Sequence, residues 1–453
     1  MNRYVLRAKY DIDNIDFWKD GGRIVVDIPM LSDGKLKYGL SHVKKRLHKE
    51  NVYPSEIGFD IMSLATMVYM ADTRIERAVH GQDSWTREIE LEIPVSNVEV
   101  WSPQISTIER MLKFLTGDLW KICLTSRRWQ FNNPEEVGEK SNKFDKVSLF
   151  SGGMDSLIST INLMEERENT LLISHAGEGL TKNAQENIVN KLDLLYPDVL
   201  HTWLDLWMVF PNNYIPEGGN DNNTRSRSFL FIGYGIFAIT GMDNVSELMV
   251  PENGLIALNV PLDETRVGSF STRTTHPFYL SLWNKLLLGL GLNISVKNPY
   301  WDKTKGEMAS ECKSKDALYE TMKLSFSCSS PGKARWRGLS PQHCGYCVPC
   351  IIRRAAMHKA FRMDETIYTE TSIYEMQSKN AEGIGIQLRS FQYAIEKIKR
   401  NQNCAMLYIH KPGPLPQDEE YLRKLADTYK RGLLEVNDFI QDSLAQEDEF
   451  NDL

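Results

Sequence analysis

Hydrophobic and polar positions divide the chain into stretches of different period. Residues 1–127 alternate apolar and polar in short runs such as RIVVDIPML and REIELEIPVSNVEVW, which predicts strands. The same region carries helical spacing in FDIMSLATMVYMADTRIERAV and ISTIERMLKFLTGDLWKI, so residues 1–130 are expected to form an accessory α+β module. The segment FNNPEEVGEKSNKFD, 131–145, is polar, holds Pro and Gly and has no apolar period, and reads as a linker. From 146 to 360 short apolar runs (KVSLF, TLLISHA, VLHTWLDL, ELMVPENG) alternate with helical stretches. That alternation predicts parallel strands joined by crossover helices: an open α/β sheet with helices on both faces, whose ligands sit at the carboxyl ends of the strands. Beyond 361, SFQYAIEKIKRN and DEEYLRKLADTYKRGLLEVNDFIQDSL have helical spacing, so a helical C-terminal extension is expected over 361–453.

Length, composition and charge narrow the picture only modestly. A chain of 453 residues is long enough for two or three domains. The start, MNRYVLRAKYDID, lacks the apolar core of a secretory signal. The longest mostly apolar run, Phe229–Met242, is shorter than the roughly 20 residues that span a bilayer, so no membrane association is expected and that run reads as a buried helix. Seven cysteines are too few for a disulfide scaffold, and four of them fall between 328 and 350. Crowding of that kind points to metal in a reducing, cytoplasmic setting. The net charge of −7 argues against a protein sheathed in nucleic acid. Yet from Lys323 to Arg362 there are eight Lys or Arg and no acid, either a solvated face or one that meets an anion.

One turn carries most of the chemistry. KVSLFSGGMDSLISTINLMEE leaves a strand, turns through Ser151, Gly152 and Gly153, and opens a helix at Met154. A helix start has unpaired N–H groups and the positive end of the helix dipole, so it receives anions. Two glycines let the backbone approach a phosphate, and the hydroxyls of Ser151 and Ser156 add donors. The pattern is neither the Walker loop nor the nucleophile elbow.

Cys344, Cys347 and Cys350 are spaced C-x2-C-x2-C, and Cys328 lies sixteen residues upstream. Four thiolates complete a tetrahedral zinc (Zn2+) site. An iron–sulfur cluster has the same ligand demand, and structural zinc is favoured because no redox partner is evident. Cys123, Cys312 and Cys404 stand alone.

SGGMDS between a strand and a helix resembles the pyrophosphate-binding loop (PP-loop) of the N-type ATP pyrophosphatases, an adenine-nucleotide alpha-hydrolase-like fold. These enzymes split ATP between its α and β phosphates and adenylate a carbonyl or carboxylate. The resemblance implies ATP and magnesium (Mg2+), with Ser151, Gly152, Gly153, Asp155 and Ser156 around the phosphates and Asp155 near magnesium or the phosphates. It also sets Ser174 and His175, at the end of the second strand, against adenosine, chiefly through backbone atoms; a packed histidine is the competing reading for His175.

With the cysteine site, HCGYC and IIRRAAM, the motif resembles more narrowly the 7-cyano-7-deazaguanine synthases, the QueC family, over roughly 146–360. SRSFLF and DKTKGEM match two further family segments, which implies that Arg227 and Lys305 meet phosphates or a carboxylate and, with Asp155, do the catalytic work. The family's D-x-S-G-Y-P-D-C-R segment is replaced by PENGLIALNVPLDETRVGSFSTRTTHPFYL. In the replacement Arg266, Arg273, Thr274 and His276 are candidates for holding a polar planar ligand, or groups that merely cap the helix at Pro277. The N-terminal module and the C-terminal extension resemble those of QueC-like proteins in bacterial anti-phage systems, including the QatC group, which implies a partner protein of a defence operon. The expected activity is that of an ATP-dependent carbon–nitrogen ligase. It would adenylate a 7-deazaguanine carboxylate and pass it to ammonia or to a protein amine, and no base is assignable from the sequence. The competing readings are an ordinary nitrile-forming synthase, a tRNA-modifying ATP pyrophosphatase and a nucleotide-binding scaffold.

Overall fold

The computed structural model describes residues 3–133, 135, 137–140, 142–221, 225–264, 273–379 and 383–451. Arg266 lies outside them. The first sheet is built from β1 (Arg3–Lys9), β2 (Asp16–Asp20), β3 (Arg23–Pro29), β6 (Glu88–Val95) and β7 (Leu119–Ser126), in the order β2-β3-β1-β6-β7. β2 pairs antiparallel to β3 and the other pairings are parallel. The short β4 (Leu31–Ser32) and β5 (Lys35–Leu36) form a separate hairpin.

The second sheet is β8 (Lys146–Leu149), β9 (Thr170–Ala176), β10 (His201–Trp207), β11 (Glu247–Met249) and β12 (Ser295–Lys297). Its order is β10-β9-β8-β11-β12 and every pairing is parallel. The chain runs outward from β8 to β10, then returns to β11 on the other side of β8. The direction of winding therefore reverses between β8 and β11, where crossover helices leave on opposite faces and a crevice opens at the carboxyl ends of the strands. The turns after these two strands, Phe150–Gly153 and Val250–Asn253, flank that crevice. Mixed α/β architecture with parallel sheets is thus the observed class.

The helix Arg227–Ile239 shows why its sequence is apolar all round: every residue from Ser228 to Ile239 is buried. It packs along the helix Glu56–Arg74, which is buried over most of its length. Residues of both sheets and both helices form one continuous apolar core. Polar contacts fix the axial position of the pair. Ser55 donates its N–H to Thr240 Oγ1 at 3.2 Å, and Asp72 Oδ2 accepts from the Ser226 N–H at 2.8 Å. Asp72 is fully buried, and Arg87 at 2.6 Å offsets its charge. A carboxylate from the N-terminal region therefore anchors Ser226, the residue just before the helix that carries Arg227.

The last helix, Glu419–Asn451, packs on Val348–Phe361, Ile386–Arg400 and Gly254–Leu258. A second apolar cluster joins these helices to Cys344, Cys347 and Cys350. No helix among the described residues is long and apolar enough to cross a membrane.

Candidate functional site: an anion crevice beside four cysteines

Leaving β8, the backbone adopts φ +79° at Gly152 and places Gly153 as the cap of the helix Met154–Glu165. A Cβ at Gly152 would also stand 2.9 Å from Gln185 Cγ, so both backbone conformation and close approach demand glycine. No side chain caps this helix. Ser151 Oγ instead accepts from the Gly153 N–H at 3.2 Å and lies 3.1 Å from Ser156 Oγ. The helix start thus remains free to receive an anion from the crevice.

Asp155, in the first turn, is held from two sides. Its Oδ2 accepts from the backbone N–H of Asn253 at 3.0 Å and from Asn253 Nδ2 at 2.7 Å. Its Oδ1 lies 2.8 Å from Lys305 Nζ. Lys305 opens the short helix Lys305–Ser310, which Thr304 and Glu307 close with a capping box.

Two cavities meet at this turn. Ser151, Gly153, Pro251, Glu252 and Ser327 line both. One, about 350 Å³, is walled by Ser156, Glu178, Thr181 and three arginines, Arg225, Arg227 and Arg273, with Thr274 and Thr275. Arg227 donates from Nη2 to the His175 carbonyl at 3.0 Å and from Nε to His175 Nδ1 at 3.3 Å. Burial pulls Arg225 and Arg273 down to about 10, and Arg225 adds to the effect on Arg273. Arg225 donates to the Thr116 carbonyl at 2.7 Å and Arg273 to the Phe114 carbonyl at 2.8 Å; with Arg227 they give this cavity a cationic lining, which favours an anion such as a polyphosphate. The other cavity, about 440 Å³, runs along Asp155 and Lys305 between apolar walls that include Met154, Leu255, Val260, Tyr346 and Phe391.

The remaining sequence candidates divide. Ser174 is buried, donating to the Phe150 carbonyl at 2.5 Å and accepting from Trp203 Nε1 at 2.9 Å. His175 packs edge-on against Tyr69, and burial, followed by Arg227, lowers it to about 3, so it is neutral. Neither residue lines either of these two cavities; His175 bears on the crevice through Arg227, which it meets with both its carbonyl and its Nδ1. Arg273 and Thr274 line the arginine cavity. His276 does not: its Nδ1 accepts from the Phe278 N–H at 3.2 Å, capping the helix Pro277–Gly289, and its ring lies on Phe114. Of the two readings of this residue, the cap is the one the geometry carries. Arg225, Glu252 and Asn253 were not singled out by sequence reasoning. For the last two a signal existed, because PENG directly follows a strand of the parallel sheet.

The basic stretch is mostly spoken for. Arg353 donates to Ser325 Oγ, the Met322 carbonyl and Thr366, and Arg354 to the carbonyls of Gly345 and Thr371. Lys323, Arg337, Lys359 and Arg362 face Glu365, Glu370, Glu435 and Asp442. Six of the eight cations therefore already have partners, which weakens the anion-facing alternative.

The sulfurs of Cys328, Cys344, Cys347 and Cys350 lie within 4.8 Å of one another. Cys328 and Cys347 are 3.9 Å apart, and Cys344 and Cys350 are 4.0 Å apart. A tetrahedral ion with bonds of about 2.3 Å needs sulfur–sulfur edges of roughly 3.8 Å, so the set fits zinc. Backbone N–H groups of Ser330, Cys344 and Cys347 point at Cys328 and Cys344 sulfurs at 3.3–3.4 Å, which stabilises thiolates. The other three thiols hold Cys347 well below the ordinary thiol range, while Cys350 is pushed up by the same neighbours; a cation among them would remove that conflict.

An open parallel sheet with an anion-receptive helix start at its reversal point, next to a four-cysteine centre, defines the class. No family model matches the chain. The chain is similar to 7-cyano-7-deazaguanine synthase of Methanobrevibacter smithii, 24% identical over 237 residues, which cover 49% of this chain and 97% of that protein.

Proposed function

We propose that the chain is a QueC-like, ATP-dependent enzyme that adenylates the carboxylate of 7-carboxy-7-deazaguanine, releases pyrophosphate and passes the acyl group to an amine. The observation that carries this reading is the meeting of two cavities at the Ser151–Gly153 turn, one walled by three arginines and the other by the Lys305–Asp155 pair. A nucleotide polyphosphate suits the first cavity and a planar acid the second, so the α-phosphate and the carboxylate would meet at their shared wall. Lys305, Arg227 and magnesium would offset charge that grows on the phosphates. Zinc at the four cysteines would be structural, because a closed four-thiolate shell leaves no open position.

The name of the similar archaeal protein favours a second reading, an ordinary nitrile-forming synthase that uses ammonia. Residues 1–130 and 361–453 favour the protein-amine reading, as surfaces on which a partner of a defence operon would dock. Incubation of the full chain with ATP and 7-carboxy-7-deazaguanine, followed by mass spectrometry, distinguishes them. Nitrile formed from ammonia alone supports the synthase, and an acid-derived mass added to a co-expressed protein supports conjugation. Absence of AMP under both conditions contradicts the proposal.

A further inference from the structure

Acyl transfer to an amine needs a proton acceptor, because the nitrogen that attacks the acyl carbon must shed a proton as the new bond forms. Few groups at the shared wall are available for that work. Asp155 is bound to Lys305 and to Asn253. Glu178 is exposed and accepts from the Thr181 hydroxyl. His175 is turned into the packing against Tyr69.

Glu252 differs from all of these. It follows β11 at the reversal point, and its peptide is pinned by Asn298, which accepts from its N–H at 3.2 Å and donates to its carbonyl at 2.7 Å. Its carboxylate accepts from the Thr275 hydroxyl and has no ion pair among the described residues. It lines both cavities.

Resting on the adenylation reading above, we propose that Glu252 is the catalytic base that takes the proton from the attacking amine. The nitrogen lone pair forms the N–C bond, the C–O bond to AMP breaks, AMP leaves with that electron pair, and the amine proton passes to the Glu252 carboxylate. The charged and polar groups acting on Glu252 come from three elements: Thr275 favours the ionised form, Asp155 opposes it and Lys305 favours it. Burial outweighs them and pushes the carboxyl up to about 7, a value suited to exchanging a proton near neutral pH.

The test uses the full-length chain, ATP, 7-carboxy-7-deazaguanine, labelled pyrophosphate and two nucleophiles. Ammonium must lose one proton to expose its lone pair and a second as the N–C bond forms, whereas hydroxylamine is already neutral at pH 7 and must lose only the second, so it depends less on a base. In Glu252→Gln, acid-dependent pyrophosphate exchange should fall no more than a few-fold, transfer to ammonia should fall roughly 100-fold, and transfer to hydroxylamine should fall clearly less. The wild-type transfer rate should rise through about pH 7 and level off, and the variant should lack that inflection. Glu252→Asp, which keeps a carboxylate, should restore part of the transfer, with unchanged thermal unfolding as the control for folding. Equal loss with both nucleophiles, or undiminished transfer to ammonia, overturns the assignment of Glu252 alone. A wild-type chain without acid-dependent exchange removes the adenylation reading, and the inference with it.

Discussion

The ammonium of Lys305 lies 2.8 Å from Oδ1 of Asp155, joining the helix that opens at the Ser151–Gly153 turn to a short helix about 150 residues later in the chain. Both side chains are nearly closed to solvent, with exposures of 7% and 11%. The pair lies along the cavity that shares the Ser151–Gly153 turn with its neighbour, so it ties two distant parts of the chain together at the site.

Removing one partner should cost both activity and stability. Lys305→Met leaves Asp155 as a buried unpaired carboxylate, for which a loss of about 3 kcal/mol is expected. Denaturant unfolding should detect it. The double variant Asp155→Asn with Lys305→Met should regain much of the stability and none of the ATP-dependent exchange. Full exchange in either single variant would contradict the role given to the pair.

Glu435, in the last helix, holds the start of the Lys305 helix. It accepts from Thr304 Oγ1 at 2.5 Å and from the Gly306 N–H at 2.8 Å, and Lys359 lies 3.2 Å away. A Cβ at Gly306 would come within 2.5 Å of that carboxyl group. Glu435→Ala and Gly306→Ala should therefore each lower exchange about tenfold, equivalent to about 1.4 kcal/mol, by shifting Lys305. Metal content should be unchanged. Normal exchange in both variants would make the C-terminal contact a packing feature only.

How much of this was legible in the sequence follows from the range of each interaction. SGGMDS and the four cysteines are readable because local chemistry defines them: a helix start after glycines, and thiols brought together by short turns. The parallel sheet is readable because short apolar runs alternate with helical spacing. Arg225, Asp72 and Glu435 look like ordinary charges in sequence, and Glu252 is marked only by its place directly after a strand. They acquire meaning only when β11 returns beside β8, or when distant helices pack. His276 shows the opposite difficulty: a polar residue just before Pro277 suits either a ligand or a helix cap, and only contact with Phe114 and the Phe278 N–H decides for the cap.

The cysteine centre should hold about one zinc per chain, and Cys347→Ser should lose it. Because three of the four cysteines belong to the apolar cluster beneath the C-terminal helices, metal loss should lower the thermal midpoint by several degrees and open that region first to proteolysis. Elemental analysis checks the ion. Iron with a visible absorption band would contradict the assignment.

Two buried histidines set an acid limit. Burial lowers His175 and His276 from 6.5 to about 3, so the unfolded chain binds protons that the folded chain does not. Their stabilising effect is complete above the unfolded value near 6.5, and stability declines as pH falls from there towards 3. His276→Asn keeps a side chain able to cap the helix and should flatten the decline, as measured by unfolding midpoints between pH 7 and 4. An unchanged slope would mean that other groups govern it.

The central claim is formation of an acyl-adenylate from 7-carboxy-7-deazaguanine at the Ser151–Gly153 turn. Exchange of labelled pyrophosphate into ATP measures that step without any acceptor amine. The full-length chain should catalyse exchange only when magnesium and the acid are both present, and Asp155→Asn should abolish it while the chain keeps its zinc and its unfolding transition. Exchange that ignores the acid, or that continues undiminished in Asp155→Asn, would contradict the account.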